Sequence, residues 1–265
     1  LHIIACENAI GASTQLKEHV YALLEEPVKA LADQYVYFPD SAVDRIVPIQ
    51  HHEDSLHVQV EPFYEWVVDR SQMAPAFLPI EGVLYVDDLE PYIERKLFTV
   101  NTGHCCAAYL GYVNGYDTIQ KAIADDKVKS FVYGALQETG DVLVKRFGFD
   151  PEDHQKYINK ILERFVNPHL TDEVTRVGRS PLRKLSPNDR LVRPALQAHD
   201  YGMGTTNLAR GMAAACKFDV QDDPEAAELQ NMIKQKGIAA ALSHYTAMDE
   251  QHPVLKQAVE HYHQM

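Results

Sequence analysis

No apolar run in the 265 residues approaches the ~18 needed to cross a bilayer, and no signal-peptide pattern opens the chain. Membrane insertion is therefore not predicted. Cysteine is scarce: Cys6, Cys105, Cys106 and Cys216 show no disulfide spacing. Neighbouring cysteines on a helix point apart, so free thiols in a reducing, cytoplasmic setting are predicted. Positive charge is also in deficit, with 25 Lys and Arg against 38 Asp and Glu and a formal net charge of -13. That balance argues against a nucleic-acid backbone or an anionic membrane as the main partner. Recognisable ligand frameworks are missing as well. There is no C-x-x-C pair of pairs, H-E-x-x-H, P-loop, G-x-S-x-G or G-x-G-x-x-G. No metal is predicted. The chain begins at Leu1 without methionine, directly in an apolar run, which reads as a piece of something longer.

What is present is ample core material, 46% hydrophobic residues, enough for one large domain or two ordinary ones. Leu1 to Cys6 reads as a buried strand with Asn8 at its carboxyl end, the position where ligands gather in open α/β sheets. A helix cap or turn is the other reading of Asn8. Helical periodicity runs from about Thr14 to Gln34 with a break near Pro27. Strand-like segments follow at Tyr35–Phe38, Ser41–Val47, Leu56–Val60 and Phe63–Val68. From about Asp87 the texture becomes helical, with long periodicity over Thr118–Phe147 and a helix opened by Pro151. Further helical patterns cover about Arg190–Tyr201, Thr206–Cys216, Pro224–Lys234, Ile238–Tyr245 and Val254–Tyr262. A small α/β portion thus precedes a helical one, divided near residue 80.

Inside the apolar helical run from about Pro91 to Gly111 lie Lys96, Asn101 and His104. On an α-helix, Asn101 falls about 140° and His104 about 80° from Lys96, so the three share one broad arc. Gly103, about 20° from the Lys96 direction, leaves room for something small to press against the helix. Two readings stand. One is a buried helix with an incidental lysine, a satisfied histidine and a capped amide. The other is a site in which a desolvated lysine moves a proton and the asparagine holds a carbonyl oxygen. Acid–base work at a carbonyl or alcohol carbon suits these residue types, but the electron carrier is not among them.

Arg176, Arg179, Arg183 and Lys184 crowd a loop stiffened by Pro181 in an otherwise acidic chain. The stretch is either a solvated turn or an anion clamp, since guanidinium forks match carboxylate or phosphate oxygens. His51, His52 and His57 cluster in a polar loop and read as solvated rather than metal-binding.

Lys96 to His104 spells K-x4-N-x2-H. Ile4–Asn8, Asp40–Pro48, Glu94–His104 and Arg176–Ser186 occur with it in one order. By these segments the chain resembles the polyol-specific long-chain dehydrogenase/reductase family over essentially all its length. The resemblance implies a mainly α fold. Residues 1–80 would be the α/β tail of a Rossmann-type nucleotide-binding domain, and residues 81–265 an all-helical substrate domain. It implies reversible hydride transfer between NAD and a sugar alcohol, interconverting D-mannitol 1-phosphate and D-fructose 6-phosphate. Lys96 would be the acid–base, Asn101 and Asn8 would hold the reacting oxygen, and His104 would contact substrate and steady the lysine. Asp44, Arg176 and Lys184 match substrate contacts, and charge and location add Arg179 and Arg183 as a phosphate grip. Full-length members carry a glycine-rich turn and several parallel strands ahead of the segment that opens this chain, so the chain alone is expected to bind NAD poorly and not to turn over. Relatives that reduce tagaturonate or fructuronate share much of the pattern. A noncatalytic helical binding or dimerisation module is the reading from another class. The oligomeric state stays open.

Overall fold

The computed structural model describes residues 1–47, 50 and 52–265. It is rich in helix and carries one small sheet. The chain divides into two compact units, Leu1–Val47 with His52–Glu94, and Arg95–Met265.

In the first unit, α1 (Ala12–Ala22) and α2 (Glu26–Tyr35) flank the predicted break, with Pro27 seated in the first turn of α2, where its missing N–H costs nothing. Asp40 ties α1 down by accepting from the Thr14 backbone N–H at 3.0 Å and its hydroxyl at 2.5 Å. Three short strands follow, β1 (Ser41–Asp44), β2 (Glu65–Asp69) and β3 (Leu84–Val86). Their order is β1-β2-β3, with β1 antiparallel and β3 parallel to β2. Val67 and Val68 are fully buried, and Phe38, Met73 and Leu89 are buried in the same unit.

Three expected strands are not formed. Leu1–Cys6 makes a single parallel bridge, His2 to Tyr37, flanked by Ile3 N–H to Tyr37 O and Tyr37 N–H to Leu1 O, each 2.9 Å. Two bonds are too few for a ladder, and the segment is half-buried or exposed. Tyr35–Phe38 contributes only its side of that bridge. Leu56–Val60 does alternate, but Leu56 is 88% and Val58 58% exposed, so no core receives its apolar side. Its first donors are instead spent on a turn, with Leu56 N–H to Asp54 Oδ1 at 2.9 Å.

Helix α3 (Glu90–Arg95) leads into a π-turn over Lys96–Asn101 and then α4 (Thr102–Val113). The remainder of the second unit holds α5 (Ile119–Ala124), α6 (Asp126–Phe147), α7 (Pro151–Phe165), α8 (Val174–Gly178) and α9 (Pro181–Lys184). It ends with α10 (Val192–Asp200), α11 (Thr206–Ala215), α12 (Pro224–Lys236), α13 (Ile238–Thr246) and α14 (Pro253–Gln264). Caps explain several boundaries. Asp125 accepts from Lys127 and Val128 at the start of α6, and Gly148 ends it at φ 69°, a left-handed position that glycine adopts without strain. Asp150 and Asp223 open α7 and α12 in the same way, each followed by proline. None of the helices among the described residues is long and apolar enough to cross a membrane.

The core of this unit wraps α4, which is apolar on nearly every side and buries Cys105 through Gly111 against α5, α6, α8 and α11. Small residues make that closeness attainable. A Cβ added at Gly111 would meet Ala122 Cβ at 2.8 Å and Val174 Cγ1 at 3.0 Å. Gly111→Val is therefore expected to overpack the α4–α5–α8 junction by about 2 kcal/mol, lowering Tm by roughly 4–8 °C in a thermal melt. An unchanged Tm would mean that this junction is loosely packed. Gly103 departs from expectation for the same reason. A Cβ there would meet Phe165 at 3.0 Å and Leu136 at 3.2 Å, so core side chains, not a ligand, occupy the space beside it.

Candidate functional site

The π-turn changes the geometry inferred for Lys96 and Asn101. The backbone N–H of Thr102 reaches back five residues to Leu97 O, and the Thr102 hydroxyl donates to Leu97 O at 3.1 Å and to Arg190 O at 2.6 Å. A turn bonded i to i+5 is wider than an α-turn, so residues five apart come closer in direction than the α-helical 140°. Lys96 and Asn101 are the first and last residues of this turn, and both are half-buried. Such bulges recur at functional sites because they re-aim side chains within an otherwise regular helix.

His104 follows on the first turn of α4, its side chain 22% exposed. Its ring stacks on Phe165 with centroids 5.1 Å apart and planes inclined by 18°. Nε2 faces Asp172 Oδ2 at 3.3 Å. Burial, reinforced by the positive charges of Arg176, Arg190, Lys184 and Arg164, pulls its pKa down to about 3, so the imidazole is neutral at physiological pH. Asp172 is itself gripped by Arg176, whose Nε and Nη2 reach its two carboxylate oxygens at 2.6 and 2.5 Å. Burial raises the Asp172 carboxyl and Arg176 opposes that rise. Sequence reading had not singled out Asp172. The signal was there in its spacing of four from Arg176, the distance at which an acid and a base meet on a helix.

The expected basic loop is two short helical turns, α8 and α9, hinged at Arg179 and Ser180. Ser180 holds φ 59°, an unfavourable position for a side chain, and its backbone N–H is fixed by Asp223 Oδ2 at 2.7 Å. Lys184 is 3% exposed and lies beneath the hinge. Its ammonium donates to Val177 O at 2.7 Å and to Arg179 O, and sits 5.8 Å over the Tyr109 ring. Burial, with the charges of Arg190 and Arg183, lowers its pKa to about 8. The Tyr109 hydroxyl adds a bond to Gly178 O at 2.8 Å. Arg179 and Arg183, by contrast, are exposed, and their guanidinium groups have no partner among the described residues.

Asn8 and Asp44 belong to the first unit. Asn8 lies in an exposed bend after the extended N-terminal segment, and Asp44 ends β1 opposite Glu65, 5% exposed. The remaining candidates are ruled out by burial or fall away. Cys105 and Cys106 are buried thiols whose pKa burial raises, Cys105 to about 11, so neither is a poised nucleophile. His52 and His57 stack edge to face at 4.4 Å, while His51 lies outside the described residues. Among the described residues no three His, Cys, Asp or Glu side chains are grouped to hold a metal.

Two family models match the chain. Residues 88–265 match the Mannitol dehydrogenase C-terminal domain and residues 1–82 the Mannitol dehydrogenase Rossmann domain. The chain is 54% identical over 254 residues to mannitol-1-phosphate 5-dehydrogenase of Brevibacillus brevis, covering 96% of this chain and 66% of that one. It is 52% identical to the enzyme of the same name from Bacillus subtilis, covering 96% and 67%. The chain thus spans about two thirds of the length of the curated relatives it matches. Among solved structures, Pseudomonas fluorescens mannitol 2-dehydrogenase, in a ternary complex with NAD and D-mannitol, superposes with a TM-score of 0.73 at 22% identity, over 99% of this chain and 59% of that one. A substrate-free D-sorbitol dehydrogenase superposes with a TM-score of 0.80 at 19% identity, over 98% and 59%. These two likenesses speak to fold. By the extent of the domain match and by sequence identity, the chain belongs to the mannitol dehydrogenase family.

Proposed function

We propose that the protein carrying these residues is an NAD-dependent, cytoplasmic mannitol-1-phosphate 5-dehydrogenase that interconverts D-mannitol 1-phosphate and D-fructose 6-phosphate. Residues 1–80 would serve the nucleotide-binding side and residues 81–265, an all-helical domain, the substrate side. The observation that carries this reading is the pairing of Lys96 and Asn101 on one π-turn with a clamped, neutral His104 in cationic surroundings. An acidic chain that concentrates positive charge around one set of polar residues favours an anionic substrate there.

No G-x-G-x-x-G turn occurs in the 265 residues, and β2–β3 is the only parallel ladder among the described residues. NAD supplies the hydride acceptor when bound, and the remaining work falls to side chains. Lys96 takes the hydroxyl proton at the reacting carbon and returns it in the reverse direction. The Asn101 amide holds that oxygen as its charge changes. His104 accepts from a neighbouring substrate hydroxyl. Arg176 spends one edge of its fork on Asp172 and offers the other to substrate. Lys184 contributes positive charge and the shape of the hinge above it. Arg179 and Arg183, uncommitted and exposed, hold the phosphate.

The test is a substrate panel on the complete gene product, comparing mannitol 1-phosphate, mannitol, tagaturonate and fructuronate. Mannitol 1-phosphate is expected to win on kcat/KM. The double substitution Arg179→Ala, Arg183→Ala is expected to raise its KM about 10- to 100-fold with little change in kcat, as loss of charge-assisted hydrogen bonds common to ground and transition states predicts. Preference for the carboxylated sugars would move the assignment to the sugar-acid reductases. Turnover of none of the four would favour a noncatalytic helical module. An unchanged KM removes both arginines from the phosphate grip.

A further inference from the structure

We propose that Asp172 is a positioning residue that sets the tautomer of His104, keeping the proton on Nε2 and leaving the Nδ1 lone pair to accept a hydrogen bond from a substrate hydroxyl. The argument starts from which groups are immobile. Asp172 is 5% exposed and held from several directions. Arg176 takes both carboxylate oxygens at 2.6 and 2.5 Å, the Asp172 carbonyl accepts from Ile119 N–H at 2.9 Å, and the Gln120 side chain accepts from its backbone N–H at 3.4 Å. The histidine ring is held on its flat face by Phe165. With both partners fixed, Nε2 and Asp172 Oδ2 stand 3.3 Å apart, and that contact decides the proton. A bare Nε2 would set its lone pair against a carboxylate oxygen, whereas Nε2–H turns the same contact into an attraction. The ring is neutral, so one proton is available and the other nitrogen must be an acceptor.

Arg176 makes the arrangement directional. It can only donate, Nε to Oδ1 and Nη2 to Oδ2, so both oxygens are held in place, and Oδ2 is also the one that faces His104. In Asp172→Ala no carboxylate oxygen faces Nε2, so the preference for Nε2–H is lost and the Nδ1–H tautomer becomes accessible. The role of the tautomer in catalysis rests on the function proposed above, but the tautomer itself does not.

Two measurements separate these claims. Long-range ¹H–¹⁵N correlation spectra of this chain, labelled at histidine and assigned with His104→Gln, are expected to show His104 protonated at Nε2 at pH 7.5. In Asp172→Ala the pattern is expected to move toward protonation at Nδ1. A wild-type His104 protonated at Nδ1 or at both nitrogens overturns the proposal, and that spectrum decides alone if the variant does not fold. A folded variant with an unshifted tautomer overturns it too. In the complete gene product, Asp172→Ala is expected to lower kcat at least about 100-fold with KM changed much less, as loss of the orienting carboxylate does in other Asp–His pairs. A switched tautomer with normal kcat would leave the positioning role standing and remove His104 from the proposed chemistry.

Discussion

Lys96→Ala in the complete gene product is expected to cut kcat for mannitol 1-phosphate oxidation by about 10²- to 10⁴-fold, the range that general acid–base catalysis contributes. Circular dichroism and Tm should stay close to wild type, because Lys96 is only half-buried and Thr102 anchors the π-turn. The loss should fall on kcat and kcat/KM alike if the lysine acts in the transition state. Added small amines of suitable pKa should restore part of the rate, as a replaced proton carrier would. Turnover within about threefold of wild type would take the lysine out of the proposed role. A variant that loses activity together with its melting transition would instead mark Lys96 as part of the fold, and the tautomer measurement on His104 would still stand.

The second large effect is on stability. His154 is buried between Gly140, Phe149 and Tyr157, and neither ring nitrogen has a hydrogen-bond partner among the described residues. Burial, with the charge of Arg95, lowers its pKa from 6.5 to about 4. The unfolded chain binds a proton below pH 6.5 that the folded chain refuses until about pH 4. Stability is therefore fully present above pH 6.5 and falls as pH drops through that window, by about 3 kcal/mol for this group. His104, lowered to about 3, pulls in the same direction. Urea unfolding midpoints measured from pH 7.5 to 4.5 should decline steeply. His154→Leu, which removes the titrating ring and its two orphaned nitrogens, should flatten much of the slope. An equal slope in wild type and variant would show that other groups govern acid unfolding.

Local chemistry accounts for what could be read in advance. Proline at a first turn and aspartate before an apolar run act within a few residues, so the starts of α7 and α12 were legible, whereas the break at Asp125 that divides the expected run Thr118–Phe147 into α5 and α6 was not. Leu56–Val60 shows the limit of the same method. Its alternation is real, but alternation makes a strand only where a core waits on one side, and here its apolar residues face water. The lack of a G-x-G-x-x-G turn was likewise plain from the residues.

The sequence by itself determined the order of most of the longer helices, the starts of α7 and α12, and the presence of Lys96, Asn101 and His104 on one run, because periodicity and spacing are carried along the chain. Tertiary structure alone decided how that run is used. The extra residue in the π-turn is stabilised from Arg190, across the unit. The space beside Gly103 is taken by Leu136 and Phe165. Lys184 is drawn under a hinge, while Arg179 and Arg183 stay exposed. Asp172 reaches His104 only because α4 and the start of α8 pack together. Each depends on contacts between residues distant in the chain, whose energies no local pattern encodes.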